Sequence, residues 1–423
     1  MIDLTNVNNV KITGIHFRGN QDSQTYAYGI SNPNHPEQNG KKAYGNQLNT
    51  FIFAKNSNNL TVTECDFYDN LGDGLRCSGC SNIEFSYNTG SMGGHDVLFC
   101  LRSSGVRAHN NNIKTLVNSA VRLLDVNHAR IYNNIISWDG PRDAGPAIQI
   151  QHDSGTMQDI EVCGNKSYNS FGPAFWIVGK TSTGENVWIH HNLIENSGSN
   201  HGIFWVGGII ASGYENSLIE NNCFDGSYLG AVNFYAVNSG WATSATATLK
   251  NNILINAVPG KYSGMGGYGI YNNIDAQKVI SSGNCFWNNK QDIEGSVSSQ
   301  GDTFSNPDPS FGVWSCSGGV WSCPEVSPSE MGYIPSNNYD GTLTDDQIEE
   351  FEFNDIFDIL SMNVSDYEPS QYHTQTKENI SEVHENAAKI IDINHLINPV
   401  IFLFSGIFGV LVIAIFSVFR GLL

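Results

Sequence analysis

The sequence has few charged residues, and basic residues are the scarcest. Of its 423 residues 15% are charged, with 21 Lys and Arg against 41 Asp and Glu. Binding a nucleic acid requires Lys and Arg clustered closely enough to neutralise several phosphates. The sequence contains no such basic stripe, so nucleic acid is excluded as a predicted partner.

The repeated segments of the chain also lack amphipathic stretches of helical length. Short runs of alternating apolar and polar residues lie between turn residues instead, and glycine alone occupies 43 positions. Such alternation is typical of β-strands, and Gly and Asn are typical of turns. The sequence therefore predicts an all-β fold.

Charge is absent altogether from residues 400–419, VIFLFSGIFGVLVIAIFSVF. At about 1.5 Å per residue, a helix of this length crosses a hydrocarbon core of roughly 30 Å. We therefore predict a transmembrane helix at 398–420, with Arg420 on the inner side. This predicts a single-pass protein of the cell membrane whose body lies outside the cell. A buried core helix is the alternative. Such a helix would need more chain around it to cover every side, and only three residues follow Arg420.

The start of the chain, MIDLTNVNNVKITGIHF, has neither the basic residues nor the apolar run of a signal peptide. An exported protein requires such a signal. We therefore expect the natural N-terminus to lie upstream, so that this chain begins partway into its domain.

Acidic residues are concentrated towards the C-terminus. Residues 325–392 contain sixteen Asp or Glu and two Lys, which predicts a solvated stalk at 341–397. Residues 306–340 are rich in Gly, Ser, Pro and Trp. We predict that they form a cap over the end of a domain that spans residues 1–305.

One asparagine recurs in eight similar segments, such as ARIYNNII and SLIENNCF. The eight are Asn88, Asn111, Asn134, Asn165, Asn192, Asn222, Asn252 and Asn284, spaced 23 to 32 residues apart. A constant element at irregular spacing is typical of a solenoid whose loops vary in length. Parallel strands stacked at about 4.8 Å place such residues directly above one another, where each amide can bond the next. We predict a single-stranded parallel β-helix of about ten rungs, with a buried asparagine ladder.

A second repeated strand predicts two columns of side chains, because successive residues of a strand point to opposite faces. The inward column is apolar throughout: Leu75, Val97, Val121, Ile148, Phe175, Ile209, Val232 and Ile270. The outward column is mixed: Arg76, Leu98, Arg122, Gln149, Trp176, Ile210, Asn233 and Tyr271. One face of the coil is thus predicted to present arginine, amide and aromatic side chains in a row.

The segments GDGLRCSGCSNIEFSYN, GGHDVLFCLRSSGVRAHNN and AGPAIQIQHD resemble the right-handed parallel β-helix proteins of the pectate-lyase-like superfamily. More narrowly, they are similar to the disaggregatase-related surface proteins of methanogenic archaea. The resemblance covers roughly residues 5–290. It implies a right-handed parallel β-helix and action on the acidic polysaccharide that holds such cells in aggregates. β-Helices host lyases, hydrolases, epimerases and adhesins, so the fold alone does not fix the activity.

Six of the eight arginines lie between residues 76 and 142. Guanidinium groups bind carboxylates through paired hydrogen bonds, so this concentration predicts a site for the uronate groups of an acidic polysaccharide. The predicted substrate-binding residues are Arg76, Arg102, Arg142, Gln149, Gln151, Trp176 and Lys180. Trp176 would stack on a sugar ring, unless a loop covers it. The alternative for the arginines is a set of surface ion pairs with nearby aspartates.

Acidic and imidazole side chains flank the same strands. The predicted catalytic residues are Asp73, His95, Asp96, Arg122, Asp125, His152 and Asp153. Two carboxylates roughly 5 to 9.5 Å apart would support hydrolysis of a glycosidic bond, whereas Ca²⁺ bound by these acids beside a base would support β-elimination. The sequence does not choose between the two. For Asp73 and Asp96, a turn-forming role beside glycine is a further alternative.

The sequence thus predicts a membrane-anchored lyase or hydrolase that acts on an acidic polysaccharide, or else a non-catalytic surface adhesin of the same fold. Ca²⁺ is the only cofactor that it suggests, and it assigns no metal ligands. Gly94-His95-Asp96 is only loosely similar to the Gly-His-Gly of polygalacturonases. No catalytic residue can therefore be transferred from that family.

Overall fold

The computed structural model describes residues 1–19, 50–69, 72–91, 93–115, 118–138, 145–153, 157–180, 184–199, 207–235, 246–260, 264–273, 278–308, 310–311, 314–317, 320–322, 324–326 and 359–361. All regular elements in these ranges are β-strands. The predicted transmembrane helix at 398–420 lies outside them, and so does the predicted stalk except for residues 359–361. Within these ranges, no helix has the length and hydropathy needed to cross a membrane.

Three parallel sheets run along the coil, and each joins the equivalent strands of successive turns. Sheet 1 has eleven strands in the described chain: Ile2–Thr5, Ile52–Lys55, Leu75–Ser78, Leu98–Leu101, Val121–Leu124, Ile148–His152, Phe175–Gly179, Ile209–Ser212, Gly230–Phe234, Tyr268–Asn272 and Gln291–Gly295.

Sheet 2 has twelve strands in the same part of the chain: Asn8–Thr13, Asn58–Thr63, Ser81–Ser86, Ser104–His109, Asn127–Tyr132, Gln158–Cys163, Gly184–His190, Tyr214–Glu215, Ser217–Glu220, Thr246–Lys250, Lys278–Ser282 and Ser298–Gln300. Sheet 3 has ten: His16–Arg18, Asp66–Tyr68, Thr89–Ser91, Asn112–Thr115, Ile135–Trp138, Lys166–Tyr168, Leu193–Glu195, Cys223–Asp225, Ile253–Ile255 and Cys285–Trp287. The predicted all-β parallel β-helix is confirmed.

Two short antiparallel pairs follow the coil. Ser315–Ser317 pairs with Val320–Ser322, and Pro324–Val326 pairs with Ile359–Ser361. Trp314, just before them, is buried, and its Nε1 donates a hydrogen bond of 2.9 Å to the carbonyl of Asn221. This part of the predicted end cap therefore packs on the flank of the coil.

The asparagine ladder is confirmed, and all eight members are buried. Asn134 shows the pattern: its backbone N and its Nδ2 both donate to Oδ1 of Asn165, at 3.0 and 2.8 Å. Its Nδ2 also donates to the carbonyl of Ala108, and its Oδ1 accepts from Asn111. Each amide thus satisfies backbone groups that would otherwise be buried without a partner, a loss of about 1 to 3 kcal/mol each.

The residue before each ladder asparagine explains why the asparagines often come in pairs. Asn133, Asn221 and Asn251 adopt the left-handed conformation, with φ of 52°, 52° and 53°. Asparagine tolerates this conformation better than most residues do. In a pair, the first asparagine makes the turn and the second joins the ladder.

The strand register corrects one position of the predicted columns. Leu98, not Val97, aligns with Leu75 and Val121 on the inward face. Phe99 therefore occupies the outward position that was assigned to Leu98. The prediction slipped by one residue because Val97 and Leu98 are both apolar and both buried, so alternation gave no signal there.

Candidate functional site

Arg76, Phe99 and Arg122 occupy equivalent positions of three successive turns on the outer face of sheet 1. The guanidinium carbons of the two arginines lie 4.6 and 4.8 Å from the centroid of the Phe99 ring, which is 4% exposed. Such cation–π contacts contribute about 0.5 to 2 kcal/mol each. The ring therefore holds both guanidinium groups in place. We call these three residues the Arg-Phe-Arg row.

Asp73 connects the row to a buried histidine. Its Oδ1 lies 2.5 Å from Nδ1 of His95, and its Oδ2 lies 3.1 Å from Nη1 of Arg76. Asp73 is 1% exposed and His95 is 3% exposed. The residue after Asp73 is glycine, Gly74. A Cβ at that position would lie 2.6 Å from the carbonyl oxygen of Val97, so a larger residue would not fit there.

Asp96 lies one turn further along and completes the group. Its Oδ1 accepts hydrogen bonds from Nδ2 of Asn118 at 2.8 Å and from the backbone N of Ser119 at 2.9 Å. Its Oδ2 lies 3.1 Å from Nδ1 of His95 and 3.7 Å from Nη1 of Arg122. We call Asp73, His95 and Asp96 the Asp-His-Asp cluster.

The two carboxyl groups of this cluster have opposite electrostatic environments. Burial raises the pKa of Asp73, but His95 and Arg76 outweigh it and hold that pKa below its ordinary value. Burial dominates at Asp96 and raises its pKa, although His95 and Arg122 oppose the rise. Asp73 is thus the group that remains ionised, and Asp96 is more easily protonated. Divergent carboxyl groups of this kind are typical of acid–base sites.

The contacts of His95 assign its tautomer. Its Nε2 lies 3.3 Å from Nδ2 of Asn118 and 3.4 Å from Nη1 of Arg122, which are both donors. Because Nδ1 faces Asp73, the proton belongs on Nδ1 and the lone pair on Nε2. A neutral imidazole that a carboxylate orients in this way can accept a proton at Nε2.

Arg122 has poor hydrogen-bond partners. Its Nη1 contacts to Asp96 and His95 are long, at 3.7 and 3.4 Å. Its Nε is buried and has no hydrogen-bond partner among the described residues. Leaving a buried donor unpaired costs about 1 to 3 kcal/mol. A bound anion that offers two oxygens to this guanidinium would remove the cost.

The other predicted acids lie at the edge of sheet 1. The backbone N of Asp153 donates to Oδ1 of Asp125 at 2.8 Å, and Gln151 Nε2 donates to Oδ1 of Asp153 at 2.5 Å. His152 lies between these acids in sequence but is fully buried, edge-on to Tyr214 at 4.8 Å. Burial lowers the pKa of His152 to about 4. His152, which the sequence predicts as a catalytic residue, therefore packs in the interior of the coil.

The predicted substrate-binding surface is shorter than expected. Gln149, Gln151 and Trp176 are 4%, 6% and 1% exposed, so they present little surface to a glycan in this structure. Gln149 Nε2 donates to Oε1 of Gln151 at 2.8 Å, so these amides bond each other instead. The Trp176 ring is covered by other parts of the protein, which was the alternative to stacking on a sugar ring.

Two of the remaining predicted contacts lie at the surface. The side chains of Arg102 and Lys180 are 71% and 46% exposed, and each faces one acid, Asp125 at 4.0 Å and Asp153 at 3.7 Å. These distances match weak surface ion pairs. Arg142 lies outside the described residues.

Sequence reasoning missed two residues of the site, Phe99 and Asn118. Phe99 was hidden by the register slip at Val97 and Leu98. Asn118 precedes a strand, and only the distance to Asp96 on the previous turn reveals its role. No sequence signal identified it.

The Asp-His-Asp cluster could hold a metal ion, because one ligand atom from each residue lies within 4.8 Å of the others. Ca²⁺, the cofactor that the sequence suggests, prefers six to eight oxygen ligands. The cluster offers two carboxyl groups and a nitrogen, and Arg76 and Arg122 already lie beside the carboxyl groups. The residues therefore fit Ca²⁺ poorly.

Comparison with known proteins gives two family matches. Residues 1–136 match the right-handed β-helix region, and residues 157–312 match the family described as disaggregatase related. The Arg-Phe-Arg row and the Asp-His-Asp cluster lie within the first match. No curated protein sequence matches the chain significantly.

Among solved structures, the chain is similar to an alginate lyase from Paenibacillus sp., with 13% identity, a TM-score of 0.39, and coverage of 70% of this chain and 92% of the other. For a mannuronan C-5 epimerase A-module from Azotobacter vinelandii the identity is 10%, the TM-score 0.37 and the coverage 72% and 89%. For the catalytic domain of an alpha-1,3-glucanase the identity is 15%, the TM-score is 0.40, and the coverage is 55% of this chain and 46% of the other. The chain thus spans less than half of that domain.

The family matches name the same two groups as the sequence resemblance does. GDGLRCSGCSNIEFSYN lies within the β-helix match, and AGPAIQIQHD lies between the two matched ranges. The stacked parallel sheets supply the corresponding architecture. The chain is therefore a right-handed parallel β-helix protein, and its residues 157–312 are similar to the disaggregatase-related family.

Proposed function

We propose that this protein binds an acidic, uronate-containing polysaccharide at the Arg-Phe-Arg row and cleaves it by β-elimination. The observation that carries the proposal is the Arg122 guanidinium, held at 4.8 Å from the Phe99 ring with its buried Nε lacking a hydrogen-bond partner in the described chain. A uronate carboxylate supplies two oxygens in the geometry that a guanidinium prefers. The resemblance of the sequence to disaggregatase-related surface proteins implies an acidic polysaccharide as the ligand.

His95 is the proposed base. Its Nε2 carries the lone pair and lies 3.4 Å from Nη1 of Arg122. When Arg122 turns towards the carboxylate of the substrate, it uncovers this nitrogen. Arg122 then neutralises the carboxylate, which acidifies the C5 proton beside it. Asp73, bonded to Nδ1, stabilises the imidazolium that results.

The bonds in this step balance without a co-reactant. Nε2 of His95 takes the C5 proton, and the electrons of the C–H bond form the C4–C5 double bond. The glycosidic oxygen leaves C4 and takes a proton from solvent. No metal ion is needed, because Arg122 supplies the positive charge beside the carboxylate.

Hydrolysis fits the geometry less well. Retaining glycosidases place two carboxyl groups about 5 to 5.5 Å apart, and inverting enzymes about 6.5 to 9.5 Å apart, on either side of the bond. Oxygens of Asp73 and Asp96 lie within 4.8 Å of each other, and Nδ1 of His95 lies between them, 2.5 Å from Asp73 Oδ1 and 3.1 Å from Asp96 Oδ2.

A non-catalytic adhesin is the second candidate. It is favoured by the balance of charge in the cluster, in which Asp73 pairs with Arg76 and Asp96 with Arg122. Such pairing could serve only to hold two arginines rigidly for binding. In that case the same surface would bind an acidic glycan without breaking it.

One experiment separates these functions. The protein is incubated with uronate polymers while the ultraviolet absorbance of the new double bond and the number of reducing ends are followed. Elimination raises both quantities, and His95→Gln should abolish the rise while leaving binding intact. His16→Gln, at a site 84% exposed on the first turn, is the matched control. Reducing ends without new absorbance would indicate hydrolysis, and retained binding without either signal would indicate an adhesin.

We further propose that the coil lies outside the cell and is attached through residues 398–420. The support is the uncharged run at 400–419, followed by Arg420. Protease added to intact cells should degrade the coil. Complete protection in intact cells, with degradation only after lysis, would contradict this location.

A further inference from the structure

A second cluster of reactive side chains lies on the outer face of sheet 2, on turns beyond the Arg-Phe-Arg row. It comprises Glu161, Cys163 and His190, which are 3%, 0% and 1% exposed. One ligand atom from each residue lies within 4.8 Å of the others. We call this group the Glu-Cys-His cluster.

The coil itself brings these three residues together. Glu161 and Cys163 are two residues apart on the strand Gln158–Cys163, so they share one face. His190 is the direct neighbour of Cys163 on the adjacent strand. Ile160 and Val162 of the first strand point into the core, which leaves the cluster on the outside of the sheet.

Neighbouring groups fix the orientation of two of the ligands. Nε of Arg130 donates to Oε2 of Glu161 at 2.8 Å, and Oε1 lies 2.9 Å from Nε2 of His190. The other ring nitrogen of His190 lies 2.8 Å from Nδ1 of His191. Histidines that bind metals usually bond a second group through the nitrogen that does not bind the ion. Oε1 of Glu161 and Nε2 of His190 thus face the same point.

We propose that the Glu-Cys-His cluster binds Zn²⁺. A thiolate, an imidazole and a carboxylate are the three ligand types that zinc takes in proteins, whereas Ca²⁺ and Mg²⁺ prefer oxygen alone. In a tetrahedral zinc site the ligand atoms lie about 3.3 to 3.8 Å apart, within the spacing found here. Oε1 of Glu161 and Nε2 of His190, which lie 2.9 Å apart, would separate by about half an ångström to take up this spacing.

The surroundings provide the charge that a buried dication needs. Glu220 lies one turn beyond His190 and accepts a hydrogen bond from Trp188 Nε1 at 3.0 Å. With a thiolate at Cys163, the two carboxylates give three negative charges. They face the ion, Arg130 and Lys250, whose Nζ lies 3.9 Å from Oε2 of Glu220. Cys163 also belongs to the apolar group that includes Trp314, so the site is covered by the segment after the coil.

Zinc binding at this cluster should release a proton. Burial and the charge of Glu161 raise the pKa of Cys163 well above its ordinary value, so the thiol is protonated when no ion is bound. Zinc binds the thiolate, and the thiol proton must leave.

The test uses the full chain, first freed of metal and then titrated with ZnCl₂. About one Zn²⁺ per chain should remain after dialysis of the unmodified protein, and Co²⁺ should produce a thiolate-to-metal charge-transfer band. Cys163→Ser should lose the band and lower zinc affinity at least about 100-fold. Cys285→Ser is the matched control, because Cys285 is also buried and its Sγ already donates to the Ser305 carbonyl at 3.4 Å.

The control should keep both zinc and the cobalt band. Circular dichroism of each variant checks that the coil is intact, and the cobalt band of the unmodified chain does not depend on any variant folding. An unmodified chain that retains no zinc and gives no cobalt band would overturn the proposal. Equal zinc affinity in Cys163→Ser and the unmodified chain would overturn it as well.

Discussion

Arg122 lies with its guanidinium carbon 4.8 Å from the ring centroid of Phe99, and this contact ties the outer face of sheet 1 to a buried acid–base cluster. Arg122 also reaches Nε2 of His95, which in turn reaches Asp73 through Nδ1. A ligand that moves Arg122 therefore changes the environment of His95 directly.

Replacing Arg122 by alanine should weaken binding of an acidic glycan about 10- to 100-fold, because a charge-assisted pair of hydrogen bonds is lost. The loss should shrink at high salt, where the attraction is screened. Calorimetric titration at two salt concentrations measures both effects. Arg102→Ala removes an equal charge that is 71% exposed and should cost no more than about threefold. Equal effects of the two changes would place the binding site elsewhere.

Trp176→Ala should act on stability and leave glycan binding nearly unchanged. The ring is 1% exposed, and removing a buried aromatic side chain costs about 3 to 5 kcal/mol. Denaturant unfolding measures the first effect and glycan titration the second. A stable variant with weak binding would restore Trp176 to the sugar-binding surface.

Asn134→Ala should lower the free energy of unfolding by about 1 to 3 kcal/mol. The backbone N of Asn134 keeps its partner, but the backbone N and Nδ2 of Asn111 lose their acceptor and the carbonyl of Ala108 loses a donor. Asn112→Ala, at an exposed position on the neighbouring strand, should change it by less than about 0.5 kcal/mol. Thermal and denaturant unfolding of both variants test the ladder. Equal stability of Asn134→Ala and the unmodified chain would refute its structural role.

Glu195 should make the coil less stable as pH rises. Burial raises the pKa of Glu195 to about 8, and the charge of Asp225 adds to the rise. The charge of Lys166 acts in the opposite direction and lowers this pKa. A raised pKa in the folded state means that the folded protein holds its proton longer than the unfolded chain does. The stabilisation is fully present below pH 4.5, the pKa of Glu195 in the unfolded chain, and is lost as the pH rises through about 8, its pKa in the folded protein.

Glu195→Gln removes this titration. Its free energy of unfolding, relative to the unmodified chain, should grow by a few kcal/mol, about 4 at most, between pH 5 and pH 9. Glu185→Gln, at an exposed position, should show no such growth. Parallel dependence on pH in all three proteins would show that Glu195 does not titrate in this range.

The periodic features of the fold were predictable from the sequence, and the features that depend on distant segments were not. Asn134 and its equivalents bond one another along the coil. Because donor and acceptor are the same repeated residue, the repeat in the sequence was enough to predict the contact. Phe99 was missed because its neighbours Val97 and Leu98 are both buried. The burial of Trp176 depends on which chain segments cover sheet 1, and alternation within one strand contains no such information.

The site was predictable to a similar extent. Asp73, His95 and Asp96 were selected because acidic and imidazole groups flank one strand, and the coil does bring them together. His152 was selected on the same grounds but points to Tyr214 in the interior. A shift of one position along a strand separates the surface from the core, and composition cannot resolve it.

The ladder also has an electrical direction. Every amide oxygen of the ladder points towards the preceding turn, as Asn165 Oδ1 does towards Asn134. The amide dipoles therefore add along the coil, and the last asparagine of the ladder, Asn284, has no further asparagine to accept from its donors. The chain places a carboxylate there: Oδ1 of Asp302 accepts from the backbone N of Asn284 at 2.8 Å. A turn that carries the asparagine could thus be inserted or deleted without altering this polarity, provided that an anion still follows the last one. Coils of this type can change in length by whole turns while keeping the same terminal charge.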